Sequence, residues 1–142
     1  MQPASPAADF EPAYLRLLAS GEPARRYSRV HDCVEANQAA VREMHRQVGD
    51  LVPDDDGIAR RGLLVRHLVL PGRIAGTDRV LAFLAEQIPR DTDVNLMDPY
   101  RPCYRADGYP EINRPTTSAE FCEALAAAER VGLTRIDVRA PR

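Results

Sequence analysis

No apolar run among the 142 residues approaches the roughly 18 that a bilayer-spanning helix requires, so no such helix is expected. The opening stretch MQPASPAADF has no basic region followed by an apolar one, so a secretory leader is not expected and the cytoplasm is the expected compartment. Cysteine is scarce: Cys33, Cys103 and Cys122 are odd in number and widely spaced, with no C-x-x-C clip. That pattern excludes a disulfide framework and a metal site made by cysteine alone. At least two of the three are expected to be buried or half-buried thiols. Charge of one sign is also lacking, since the net charge is −2 with the arginines scattered. A basic nucleic-acid surface is not expected on that balance.

What is present fits one ordered domain. Apolar residues make up 44% and charged residues 28% of the chain, which argues against disorder. Residues 1–8 are small and Pro-rich and are expected to fray; residues 9–142 form the domain. EPAYLRLLA, residues 11–19, reads as a helix with Pro12 in its first turn and Gly21 stopping it. Asp32 reads as the cap of a second helix, along which Val34, Val41, Met44 and Val48 recur at helical spacing before Gly49. DLVPDDDGIARRG carries the Asp-Gly turn of a small hairpin. A core strand is expected over 63–70, stopped by Pro71-Gly72, then a helix capped by Thr77. A second strand over 92–98 leads into a long loop, residues 99–116. Thr117 and Glu120 form a capping box for the next helix, Gly132 closes it, and LTRIDV supplies a last strand.

Strands separated by single helices predict parallel βαβ units, hence the α/β class. The apolar strand runs suggest sheet faces covered on both sides. Ligands in such sheets lie beyond the carboxyl ends of the strands. Here those ends are VLPGRIAG and MDPYRPCYRADGYPEINRP, and the second is long enough to suggest function.

One strand sets a puzzle. In GLLVRHLVLPG, alternation puts Leu64, Arg66, Leu68 and Leu70 on one face and Leu63, Val65, His67 and Val69 on the other. A buried guanidinium needs a partner, either a structural carboxylate or an anionic ligand. His67 reads as a satisfied core histidine. Asn95, alternating with Val94 and Leu96, is a buried amide able to meet an adenine or a neighbouring loop. GRIAG is not a phosphate loop, no Ser-His-Asp order stands out, and neither His31 nor His45 has metal-ligand spacing with another histidine.

The blocks EMHRQVGDL, RGLLVRHLVLPG, NLMDPYRPCY and YPEINRP resemble the C-terminal half of radical S-adenosylmethionine proteins, in the branch related to pyruvate formate-lyase activating enzyme. The resemblance runs from about Asp9 to Asp137. It implies the C-terminal half of a partial (β/α)6, TIM-like barrel. In that family a C-x-x-x-C-x-x-C loop binds a [4Fe-4S] cluster, S-adenosylmethionine is cleaved to a 5′-deoxyadenosyl radical, and activating enzymes act on a glycyl-radical enzyme. By the match to the family's R-x-V-V-V-P-G strand, Arg66 would grip the S-adenosylmethionine carboxylate. Asn95, Met97 and Tyr100 would complete this chain's share of the cofactor pocket. Arg101 stands where activating enzymes carry His, and DFE places Asp9 and Glu11 where they carry D-x-K.

The C-x-x-x-C-x-x-C motif is absent from this sequence. The resemblance therefore implies a cluster-bearing N-terminal half or separate subunit as partner, with this chain alone inactive. The expected partners are that half and a glycyl-radical enzyme, with neither nucleic acid nor membrane. A non-catalytic α/β module that binds a partner protein is the alternative, and a flavodoxin-like ligand-binding domain the weakest reading.

Overall fold

The computed structural model describes residues 21–138. The expected helix at 11–19 and the Asp9 and Glu11 positions lie outside those residues. Gly21, expected to stop that helix, is itself helical in α1 (Gly21–Pro23), which runs on into a wider turn over Ala24–Ser28. Next comes α2 (Cys33–Val48), then a hairpin of β1 (Val52–Pro53) and β2 (Ala59–Arg61), antiparallel as its Asp-Gly turn dictates. The remainder alternates: β3 (Leu64–Leu68), α3 (Thr77–Gln87), β4 (Asp93–Met97), α4 (Ser118–Arg130) and β5 (Ile136–Val138).

β3, β4 and β5 form one parallel sheet in chain order. The fold is thus α/β, with strands slightly shorter than the sequence suggested; closure into a barrel is not seen among the described residues. Val65 of β3 and Val94 and Leu96 of β4 pack with Leu81 and Leu84 of α3, Ala127 and Ala128 of α4 and Val41 of α2. All three helices therefore cover one face of the sheet. The opposite face is only half-buried at Leu64, Arg66 and Leu68. Among the described residues this departs, in β3, from the expectation of strands covered on both sides: its apolar run reads as continuous because Leu64 and Leu68 occupy half-exposed positions.

Two helix starts differ from the sequence reading. Asp32 sits in the left-handed region at φ 47° and makes no side-chain cap. The residue before α3 is Gly76, left-handed at φ 60°, so Thr77 begins the helix and its hydroxyl is used elsewhere. The capping box of α4 is as read: Glu120 N–H donates to Thr117 Oγ1 at 3.2 Å and Thr117 N–H to Glu120 Oε2 at 2.9 Å. Val48, assigned to the apolar stripe of α2, is 46% exposed, while Val41 is buried. The thiols also depart from expectation, since Cys103 and Cys122 are exposed and only Cys33 is half-buried. Cys103 lies on the long loop and Cys122 on the outer side of α4, where no core reaches them.

Candidate functional site at the sheet face and the carboxyl ends of the strands

Arg66, Asn95 and Asp137 stand side by side across three strands, in register. Strand alternation aims all three away from the helices. Arg66 Nε donates to Asn95 Oδ1 at 3.3 Å, and Nη2 to the Met97 sulfur at 3.0 Å. Asn95 Nδ2 donates in turn to Asp137 Oδ2 at 2.9 Å and to the Asp137 carbonyl at 3.2 Å. The amide of Asn95 is 6% exposed, and its orientation is fixed by these neighbours: oxygen to the cation, nitrogen to the acid. Three of the four residues proposed for the cofactor, Arg66, Asn95 and Met97, thus form one polar cluster. Asp137 belongs with them and was missed, although IDV places an acid in mid-strand just as DVN places an amide.

Further toward the amino ends of the strands the same face carries Asp93, in register with Leu64. Its Oδ2 lies 2.9 Å from Arg135 Nη2, an electrostatic contact without the alignment of a hydrogen bond. Burial pushes the Asp93 carboxyl up against the pull of Arg135, and the charges of Asp50 and Asp137 push the same way. On the opposite, helix-covered face, His67 is buried and bonded through Nε2 to Thr77 Oγ1 at 2.9 Å. Burial lowers its pKa to about 4, so it is neutral at pH 7, the satisfied core histidine that the sequence implied.

The loop of residues 99–116 folds over the carboxyl ends. Tyr100 Oη donates to the Ile112 carbonyl at 2.8 Å, and Thr116 Oγ1 to the Val69 carbonyl at 2.8 Å. Arg114 forks onto Glu120, Nη1 to Oε2 at 2.9 Å and Nη2 to Oε1 at 2.7 Å. Glu120 also accepts the backbone N–H of Gly72 at 2.7 Å. Together these bonds hold the Glu120 carboxyl far below the ordinary carboxylate range. Its role as a tie between VLPG and YPEINRP exceeds the helix cap read from the sequence.

Between this loop and the segment Pro23–Arg29 lies a cavity of about 690 Å³. Tyr100 lines it, as does Leu68, which shares its sheet face with Arg66. Arg66, Asn95 and Met97 do not. The four proposed residues therefore divide between the sheet face and the cavity wall. Among the described residues no group of three metal-ligating side chains gathers, and no helix is long and apolar enough to cross a membrane.

No family model matches the chain, and no solved structure does. A stretch of 75 residues, 52% of the chain, is 37% identical to an uncharacterized protein of the archaeon Methanocaldococcus jannaschii, and it spans 22% of that protein's length.

Proposed function

We propose that this chain supplies part of an S-adenosylmethionine pocket in a radical enzyme related to glycyl-radical-enzyme activases, as the C-terminal half of a partial (β/α)6 barrel in the cytoplasm. One observation carries the reading: the Arg66 guanidinium lies on the sheet face turned away from the described helices α2, α3 and α4, in line with Asn95 and Asp137. In a barrel that face is the interior. Strands in chain order with their helices on one side are the arrangement of a barrel wall, whereas a doubly wound sheet places helices on both sides. This also favours the barrel over the flavodoxin-like reading.

The residues fit the two cofactors differently. Arg66 offers a planar fork suited to the S-adenosylmethionine carboxylate, and Asn95 and Met97 hold that fork in place. Tyr100 stands at the cavity beyond the strand ends, where the adenosine would pass. Its hydroxyl is committed to the Ile112 carbonyl, so its contribution to a ligand is the ring. The cluster does not fit: Cys33, Cys103 and Cys122 do not converge, and three cluster ligands must. The cluster-bearing half is therefore a separate segment or subunit. This chain's residues bind and orient the S-adenosylmethionine carboxylate and exclude water from the strand ends.

The test is S-adenosylmethionine binding to the chain joined to its cluster-bearing partner. Arg66→Ala is expected to weaken it at least about tenfold, the value of a lost charge-assisted bidentate contact. Decarboxylated S-adenosylmethionine is expected to bind wild type and variant alike. Equal affinity of the intact cofactor for both proteins would remove Arg66 from the pocket. If no cluster-bearing partner associates, the non-catalytic partner-binding module becomes the better account.

A further inference from the structure

The wall of the 690 Å³ cavity is chemically one-sided. It carries Arg26, Arg29, Arg101 and Arg105, and none of the described residues that line it is an aspartate or glutamate. The chain as a whole is acidic, with 21 Asp and Glu against 19 Lys and Arg, so this concentration is local. The four arginines are not equivalent. Arg26 is spent on Glu111, at 2.5 Å, and lies over the rings of Tyr27 and Tyr109. Arg105 lies 5.5 Å from the centre of the Tyr104 ring. Arg29 and Arg101 form no ion pair with any described carboxylate.

Gathering like charges in a concavity costs self-repulsion and focuses a positive field there, which an incoming anion relieves. Guanidinium forks match phosphate oxygens in particular. Tyr104 adds a second, independent feature. Tyr104 is 90% exposed at the cavity, on a backbone at φ 57°, a conformation that a bulky residue seldom adopts. No described core contact accounts for a strained, solvated aromatic there; a planar ligand stacked on it would.

We propose that this cavity binds a small ligand carrying a phosphate group and a planar ring, its phosphate between Arg29 and Arg101 and its ring on Tyr104. The inference rests on the cavity's own charge and does not depend on the radical reading, which places the cofactor's carboxylate on Arg66 and its adenosine past Tyr100, leaving Arg29, Arg101 and Tyr104 to a second ligand. Within that reading, the cavity at the strand ends is where the substrate would sit.

Calorimetric titration of the full chain with adenosine 5′-monophosphate and with inorganic pyrophosphate tests it. Both probes are expected to bind saturably at one site. Arg29→Gln combined with Arg101→Gln should weaken both about tenfold or more, with unchanged circular dichroism since both side chains are exposed. Tyr104→Ala should weaken the nucleotide and spare pyrophosphate. The exposed control Arg61→Gln should leave both unchanged. Three results would overturn the proposal: no saturable binding, equal affinity in the double variant, or a loss caused by Arg61→Gln as large as that of the double variant.

Discussion

The backbone N–H of Gly72 donates to the carboxylate of Glu120 across 48 residues of sequence, at 2.7 Å. This bond joins the turn after β3 to the first turn of α4, while Arg114 clamps the same carboxylate from the long loop. One side chain thereby fixes three pieces of the carboxyl-end surface.

Glu120→Gln keeps the shape and removes the charge. Because the folded carboxyl titrates below its ordinary 4.5, its contribution is present above that pH and is lost as pH falls below it. Thermal melts should show a lower Tm for the variant at pH 7 and a shallower acid limb below pH 4.5. Thr117→Ala, which removes the reciprocal half of the cap, should cost about 1 kcal/mol. Identical acid limbs would separate Glu120 from the acid response.

His67 gives a different pH window. Its folded pKa lies near 4 against an ordinary 6.5, so the unfolded chain takes up a proton first as pH falls. Stability should decline between pH 6.5 and 4 by about 3 kcal/mol and then level off for this group. Denaturant melts of wild type and His67→Gln across that range check it. The variant should lack the decline, even if it is less stable at pH 7.

Tyr27 donates its hydroxyl to Glu111 Oε1 at 2.8 Å, and its ring meets Tyr109 edge-on with centroids 5.1 Å apart. Burial first, then the bond to the acid, raises its pKa from 10 to about 12. The stabilising bond is intact below pH 10 and is lost as pH rises toward 12. Ultraviolet titration should find a late-ionising tyrosine, and Tyr27→Phe should remove it.

Gly62 is at φ 105°, and a Cβ there would strike the Asp50 carbonyl. The neighbouring N–H of Leu63 donates to the Gly49 carbonyl at 2.9 Å, so the two backbones are fixed close together. Gly62→Ala should lower stability by about 3 kcal/mol or more, through strain and collision together, as a denaturation midpoint would show. A midpoint shift corresponding to less than about 1 kcal/mol would mean the two segments can separate freely.

The α/β alternation, the hairpin, the capping box and the alternate faces of β3 were legible in the residues alone, because each rests on local periodicity or turn chemistry. That His67 and Arg66 point opposite ways was legible too, since period two leaves no choice. The use of Thr77 was not legible: whether a threonine caps a helix or serves a buried histidine ten residues away depends on which strand lies beneath it. The partners of Arg66 were equally hidden, because the pairing with Asn95 and the relay to Asp137 exist only once the register of three strands is set. Tertiary structure alone brought Glu120 to Gly72 and gathered the cavity arginines from segments some 70 residues apart in sequence. Charges scattered along a chain become a site only when the backbone folds them against a common wall.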